Sequence, residues 1–171
     1  MIQHGKEIWR RVKDKSISNG TLIYSDIQTD AIGTHGRKWY TDEKENIAFS
    51  FYIKLNCNIE KINGLTIEIA ETIKKILKEK YKIKVTIKPP NDIYYLEKKL
   101  GGILTETKIY SNKIKYIVVG IGLNTNKRKF EGEIKNIGTS IINEFGIKIN
   151  KEEFITYFCN EFENKIINLG E

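Results

Sequence analysis

The stretch "GTHGRKW", from Gly33 to Trp39, combines two glycines with basic side chains and ends on a tryptophan. Gly33 and Gly36 permit positive φ and a close approach of backbone N–H groups to a ligand, and Arg37 and Lys38 add donors suited to phosphate or carboxylate oxygens. Trp39 could pack against a purine or another ring, or simply fill a core. Alone, the stretch is consistent with an anion-binding loop and with a surface loop that carries incidental basic residues.

A second group of polar residues stands where a short strand ends at a proline pair. "KPPNDIYY" places Lys88, Asn91 and Asp92 around Pro89-Pro90. Side chains at the end of a strand lie on the rim of a sheet, where clefts form. This segment therefore predicts polar groups that border a cleft.

Lys99 directly precedes an apolar strand that carries Gly101 and Gly102. Glycines inside a strand allow a ligand or another backbone to approach closely. Lys99 is then either a positive charge beside a cavity or a solvent-facing hairpin lysine like its neighbour Lys98. The local sequence leaves both interpretations open.

A buried strand in "VVGIGLNTN" ends through Gly120 and Gly122 at Asn124. A carboxamide can both donate to and accept from the edge of a nucleobase, although asparagine also favours turns. Asn124 is therefore a candidate for base recognition.

Hydrophobic periodicity predicts the elements that position these residues. A helix is expected over residues 5 to 14, a strand in "TLIYS", a long polar loop, and a strand from Asn46 to Leu55. Apolar residues at helical spacing follow from Leu65, then strands in "KVTIK", "IYYL", "LGGILTETKIY" and "KIKYIVVGIG", and a closing helix with phenylalanines four residues apart. The fold class is therefore α+β, with a mixed, largely antiparallel sheet and helices packed mainly on one face, in a single domain over residues 1–171.

Composition excludes several classes of protein. With 171 residues, 40% of them hydrophobic, the chain can bury a core, and no apolar run reaches the ~20 residues of a membrane-spanning helix. The N-terminus lacks the pattern of a secretory signal, so a cytoplasmic location is expected. Cys57 and Cys159 are far apart and only two histidines are present, which makes a zinc site or a structural disulfide unexpected. A net charge of +7 suits nucleic acid, a nucleotide or an acidic partner, but most lysines alternate with isoleucine, as on solvated faces.

Taken together and in this order, the polar segments resemble those of the biotin protein ligases. That family has Gln-Thr before a Gly/Arg-rich loop ending in Gly-Arg-x-Trp, then Lys-Trp-Pro-Asn-Asp, Lys-Leu-x-Gly-Ile-Leu and Gly-Ile-Gly-x-Asn. Here they stand as Gln28-Thr29 with "GTHGRKW", "KPPNDI", "KKLGGILTE" and "GIGLN", and "TSI" at 139–141 is similar too. The resemblance spans residues 21 to about 145.

The resemblance implies a class II aminoacyl-tRNA synthetase-like catalytic domain that uses biotin and ATP, with Mg²⁺ carried by ATP. Biotinyl-5′-adenylate and pyrophosphate form first, and a lysine of a carrier protein, such as biotin carboxyl carrier protein, then takes the biotin. Lys99, Arg37 and Asp92 would be catalytic. The implied substrate-binding residues are Gln28, Thr29, Gly33, Thr34, His35, Gly36, Trp39, Lys88, Asn91, Gly101, Gly102 and Asn124. A homodimer is compatible with the family, and no DNA or membrane partner is expected.

The sequence departs from the family pattern at several places. Ile32 and Thr34 replace two loop arginines, and Pro89 replaces a tryptophan. The Ser-Thr-Asn segment of the first strand, a winged-helix domain and a small C-terminal β-barrel are expected to be missing. Alternatives are therefore a lipoate-type acyl ligase, a non-catalytic relative that binds ligand or carrier, and, least supported, a nucleic-acid-binding domain.

Overall fold

The computed structural model describes residues 3–25, 28–32, 38–41 and 46–170. The strands are β1 (Leu22–Tyr24), β2 (Gln28–Ile32), β3 (Lys38–Thr41), β4 (Ile47–Asn58), β5 (Thr86–Lys88), β6 (Asp92–Tyr95), β7 (Lys98–Tyr110) and β8 (Lys113–Leu123). The helices are α1 (Gln3–Lys13), α2 (Leu65–Tyr81), α3 (Ile141–Phe145) and α4 (Lys151–Gly170), with short 3₁₀ turns at Ile59–Ile62 and Gly132–Ile134.

Six of the strands form one sheet in the order β1-β4-β8-β7-β6-β5. Every pairing in it is antiparallel. Among the described residues, Lys99 and Gly138 form an isolated parallel bridge. The predicted α+β class with a largely antiparallel sheet is confirmed.

One face of this sheet, here called the core face, packs on α2 and α4. Alternate residues of β4 and β8, such as Phe49, Phe51, Val119 and Ile121, join a single apolar cluster with both helices. This alternation follows from the two-residue period of a strand. Two of the three long helices therefore lie on one face, as the sequence predicted.

The closing helix α4 lays a row of aromatic rings on the core face. Phe154, Phe158 and Phe162 are all at most 2% exposed, because residues four apart fall on one side of a helix. The Phe158 ring centroid lies 5.2 Å from those of Phe49 and Phe162. The helix predicted from the phenylalanine spacing is confirmed.

The opposite face of the sheet, here called the α1 face, is covered in part by α1. Ile8 of α1 is buried with Tyr52 and Val118, and the Trp9 ring lies 5.4 Å from that of Tyr116. The helix predicted over residues 5 to 14 begins two residues earlier and ends one earlier. Within the described residues, no helix is long and apolar enough to cross a membrane.

The long polar loop expected after β1 is only partly a loop. The strands β2 and β3 pair antiparallel as a separate two-stranded sheet, with Ala31 opposite Trp39 and Ile32 opposite Lys38. The expectation was wrong here because "QTDAI" and "KWYT" are polar and lack the apolar alternation that predicts a strand. Both cysteines are free thiols, Cys57 buried and Cys159 exposed, as expected.

Candidate functional site

On the α1 face, several paired residues of β4 and β8 have very small side chains. Ala48 stands opposite Gly122, and Ser50 stands opposite Gly120. These positions alternate with core residues, so they point away from the core face. Their small size lets other groups approach the sheet backbone. The hydroxyl oxygen of Ser50 is fully buried and has no hydrogen-bond partner in the part of the chain that the structure describes.

Lys99 and Asp92 form an ion pair beside this strip of small residues. The Lys99 Nζ lies 2.6 Å from Asp92 Oδ1, and the two side chains are 17% and 22% exposed. The contact is an ion pair in which Asp92 Oδ1 accepts no well-aligned hydrogen bond from Lys99. The neighbouring Lys98 side chain is 57% exposed and reaches Glu144 only at 3.9 Å. Lys99 is therefore a largely buried, ion-paired lysine, unlike its exposed neighbour Lys98.

Gly102 lies directly beneath the ion pair. It stands opposite Asp92 in the β6–β7 register. A Cβ added to Gly102 would come within 3.3 Å of Asp92 Oδ1 and 3.6 Å of the Lys99 Nζ. Gly102 therefore lies against both charged side chains, and its predicted role in binding substrate stays a prediction.

The adjacent Gly101 has a different surrounding. A Cβ at this residue would stand 2.6 Å from the backbone oxygen of Gly122 and 3.0 Å from Leu123 Cδ1. Its hydrogen atoms therefore face the neighbouring strand and the core. The structure gives Gly101 a role in the close packing of β7 against β8.

The backbone of Lys99 is held by the segment before α3. Its N–H donates to the carbonyl of Ile137 at 2.7 Å, and its carbonyl accepts from the Thr139 N–H at 2.9 Å. Gly138 makes this approach possible, because a Cβ there would meet Ile134 Cγ1 at 2.6 Å. The "TSI" segment thus fixes the position from which the Lys99 side chain starts.

Lys88 and Asn91 border the site from the turn between β5 and β6. Lys88 stands opposite Asp92, and its Nζ lies 4.9 Å from the centroid of the Tyr94 ring. The Asn91 Nδ2 donates to the carbonyl of Ile103 at 3.0 Å. The Asn91 side chain therefore anchors the turn to β7, and it is only partly buried beside Asp92.

Asn124 lies at the far end of the strip and pairs with a residue that the sequence analysis did not select. Asn46, just before β4, is 0% exposed, and its Nδ2 donates to Asn124 Oδ1 at 3.2 Å. Asn46 Oδ1 accepts from the Thr125 N–H at 3.1 Å. Asn124 is 2% exposed, and its Nδ2 has no partner among the described residues. A signal for Asn46 was available, because it precedes a strand in which every second residue faces the site.

A second feature that the sequence analysis did not select lies where α1 begins. His4 is 5% exposed, and its Nε2 lies 2.6 Å from the Ser25 Oγ. The Lys151 Nζ donates to the Ser25 carbonyl at 3.3 Å. Burial and, to a smaller extent, the Lys151 charge lower the pKa of His4 to about 4. A buried neutral histidine thus contacts Ser25, which directly follows β1 and lies three residues before Gln28.

The remaining predicted residues belong to β2, to β3 or to the stretch of sequence between them. The structure describes the backbone of Gln28 and Thr29 in β2 and of Trp39 in β3, without their side chains. The residues of the predicted anion-binding loop lie outside the described residues: Gly33, Thr34, His35, Gly36 and Arg37. Their predicted roles stay predictions.

An apolar cavity of about 330 Å³ lies elsewhere, at the sheet edge on the core face. It is lined by Gly20, Leu22, Phe51, Ile53, Phe158, Cys159, Phe162 and Glu163. None of the predicted site residues is among these. The cavity and the polar site on the α1 face are therefore separate.

Comparison with known proteins gives the family of the chain. Residues 6–124 match the model of the biotin/lipoate A/B protein ligase family. The bifunctional ligase/repressor BirA of Bacillus subtilis is 32% identical over 148 residues, which cover 85% of this chain and 46% of that protein. The chain thus spans about half the length of the curated relatives it matches.

Comparison with solved structures indicates the fold of the biotin protein ligases. A biotin protein ligase from Aquifex aeolicus, in complex with biotin and ATP, superposes with a TM-score of 0.75 at 29% identity, covering 94% of this chain and 66% of that one. The Leishmania major biotin protein ligase with biotinyl-5-AMP, at 19% identity, has a TM-score of 0.76 and covers 99% of this chain and 74% of that one, which supports the fold alone. The family model matches well over half of the chain. The chain therefore belongs to the biotin/lipoate A/B protein ligase family.

Proposed function

We propose that this domain activates biotin with ATP to biotinyl-5′-adenylate and then transfers biotin to a lysine of a carrier protein, such as biotin carboxyl carrier protein. The observation that carries the proposal is the Lys99–Asp92 ion pair over Gly102, at three positions of the family's motifs. The relatives support the choice of substrates, since the curated relative is named as a ligase and a solved relative is a biotin protein ligase in complex with biotin and ATP.

In the first step a carboxylate oxygen of biotin attacks the α-phosphorus of ATP, and the bond from that phosphorus to the bridging oxygen of pyrophosphate breaks. Negative charge grows on the α-phosphate oxygens in the transition state. Lys99 is a fixed ammonium in a poorly solvated position, which strengthens its attraction to such charge. Arg37 and the backbone N–H groups around Gly33 and Gly36 would add donors on the other side of the phosphate.

In the second step the amine of the acceptor lysine attacks the carbonyl carbon of the mixed anhydride, and AMP leaves. The incoming group is an ammonium that must lose a proton before it attacks. Once Lys99 turns to the phosphate, the Asp92 carboxylate is free to accept a hydrogen bond and a proton from this ammonium. One ion pair would thus serve both steps.

The other predicted residues would complete the substrate site. By resemblance, Gln28 and Thr29 line the biotin side and Trp39 packs on the adenylate, while Asn124 faces the adenine with its buried amide. Thr34, His35, Lys88 and Asn91 would border the substrate, with Lys88 and Asn91 on the rim next to Asp92.

ATP would enter as its magnesium complex. No group of three or more His, Cys, Asp or Glu side chains that could hold a metal ion occurs among the described residues. Mg²⁺ in nucleotide sites is held largely by phosphate oxygens and water, so the residues present fit an ion that arrives with its nucleotide.

The proposal includes a cytoplasmic location, where ATP is available, and a possible homodimer. The outer edges of β1 and β5 end the order of the six-stranded sheet. Strand edges offer unpaired N–H and C=O groups, and pairing two copies along such an edge would satisfy them.

The test is covalent transfer. The full chain is incubated with biotin, magnesium ATP and a purified biotin carboxyl carrier domain, and the carrier is analysed by mass spectrometry. We expect biotin on one lysine of the carrier and none when ATP is omitted. Transfer of lipoate in preference to biotin, or no transfer from folded protein, would contradict the proposal.

A further inference from the structure

The amide of Asn124 is held in one of its two possible orientations by a chain of hydrogen bonds. The chain begins at the backbone N–H of Thr125, which can only donate and does so to Asn46 Oδ1 at 3.1 Å. The other end of the Asn46 carboxamide must then be its NH₂ group, and this donates to Asn124 Oδ1 at 3.2 Å. The Asn124 oxygen thus faces Asn46, and the NH₂ group, at the other end of the carboxamide, points away from Asn46.

The backbone around Asn124 is fixed as well. Its N–H donates to the Leu100 carbonyl at 2.7 Å, and its carbonyl accepts from the Ile141 N–H at 3.1 Å. The backbone groups and the side-chain oxygen all have partners, whereas the buried Nδ2 has no hydrogen-bond partner among the described residues. A buried donor without a partner is costly, so a ligand that brings an acceptor gains from contact with it.

We propose that Asn46 is a positioning residue that makes Asn124 a hydrogen-bond donor, and not an acceptor, toward the nucleobase. The inference rests on the proposed function in one respect, namely that Asn124 faces the base. It goes further by assigning the polarity of the contact: the site selects a ring-nitrogen acceptor of the purine rather than its exocyclic amine. Asn46 itself touches no substrate.

The aspartate variant of residue 46 separates this role from a merely structural one. Asn46→Asp has nearly the same shape, and one carboxylate oxygen can still accept from the Thr125 N–H. The second oxygen cannot donate to Asn124, so it would accept from the Asn124 NH₂ group instead. The Asn124 carboxamide would then turn around and present its oxygen to the base. The added charge weakens the binding of all triphosphates alike, so only ratios between analogues are informative.

The experiment is equilibrium binding of nucleotides to the full chain by titration calorimetry, without biotin. The nucleotides are ATP, three analogues in which one purine ring nitrogen is replaced by C–H, and an analogue that lacks the exocyclic amine. For the wild-type chain, we expect one ring-nitrogen analogue to bind about tenfold more weakly than ATP. In Asn46→Asp this penalty should shrink to about twofold or less, while the penalty for removing the amine rises by a similar factor.

Each result decides the proposal. An unchanged order of analogues in Asn46→Asp, or equal weakening of all of them, would overturn it. Wild-type binding alone is also decisive if the variant does not fold: tight binding of every ring-nitrogen analogue would show that Asn124 donates to none of them. An absence of ATP binding would overturn the proposal together with the contact it rests on. The expected order with no biotin transfer would defeat the proposed function but leave the role of Asn46 intact.

Discussion

The two faces of the six-stranded sheet use the same strands for different purposes. On the core face, β4 and β8 contribute large apolar side chains that join one buried cluster with α2 and α4. On the α1 face, alternate residues of the same strands are Ala48, Ser50, Gly120 and Gly122, with Asn46 and Asn124 at the strand ends. The alternation along each strand thus places apolar side chains on the core face and a strip of small and polar side chains on the α1 face.

The difference between the two faces indicates that different residues serve stability and function. Unpartnered buried polar atoms are rare in a packed interior because each of them costs free energy. Among the residues that the structure describes, the Ser50 hydroxyl and the Asn124 NH₂ group have no partner, and both lie on the α1 face. Mutations on the core face should therefore change the free energy of unfolding, and mutations on the α1 face should change catalysis.

The largest effect is expected on the core face, from Phe158→Ala. Phe158 is 2% exposed and contacts Phe49, Phe51 and Phe162, so truncation leaves a cavity. The free energy of unfolding should fall by about 3–5 kcal/mol, as measured by urea denaturation. The catalytic rate per folded molecule should stay within twofold of the wild type. A large loss of rate in folded protein would contradict the separation of the two faces.

On the α1 face, Lys99→Ala should slow adenylate formation by about 100-fold or more, since loss of one preorganised donor has that effect. The rate is measured in single turnovers by quenching and chromatography of biotinyl-adenylate. Lys98→Ala is the matched control, because Lys98 is the adjacent lysine with a 57% exposed side chain. It should remain within twofold, and equal losses in both variants would remove the assignment of Lys99.

Acid should lower the free energy of unfolding through His4 on the α1 face. The pKa of His4 is lowered from 6.5 to about 4 by burial and by Lys151. The unfolded chain therefore binds a proton at His4 that the folded chain does not, and this contribution to stability is complete above about pH 6.5 and is lost as the pH falls toward about 4. The loss is on the order of 2–3 kcal/mol.

The measurement for His4 is the free energy of unfolding against pH for the wild type and His4→Gln, which cannot titrate. The difference between the two curves should change across this range and be flat above it. Parallel curves would show that His4 is not a buried neutral group in the folded chain.

The smallest effects should distinguish the two adjacent glycines of β7. A Cβ at Gly101 would stand 2.6 Å from the Gly122 carbonyl oxygen, so Gly101→Ala should lower the free energy of unfolding by about 2 kcal/mol. A Cβ at Gly102 would touch the Asp92 and Lys99 side chains instead. Gly102→Ala should therefore reduce the rate of adenylate formation severalfold, with a smaller change in stability than Gly101→Ala. The reverse pattern would mean that the faces are assigned wrongly.

Much of the fold could be predicted because its elements have clear periodicity. The phenylalanines of α4 and the alternation along β4 and β8 indicate their structure directly. The β2–β3 hairpin could not be predicted in this way, since its polar strands show no buried face in the sequence. The motif residues Lys99, Asp92 and Gly102 were selected from local sequence, and the structure brings all three together.

Asn46 and His4, whose partners are distant in the sequence, were not predicted. Asn46 lies 78 positions from its partner Asn124, and His4 lies 21 positions from Ser25. Such pairs depend on strand register and on helix docking, which a local pattern does not specify. Gly138 is a similar case, because a side chain at this position is excluded by Ile134, which packs against it.

The most direct test of the central claim, that the α1 face carries out biotin adenylation, is exchange of labelled pyrophosphate into ATP by the wild-type chain. The exchange isolates the first chemical step and needs no carrier protein. We predict exchange that requires biotin, is not supported by lipoate and is lost in Lys99→Ala. No exchange with either acid, from protein shown to be folded by circular dichroism, would contradict the claim.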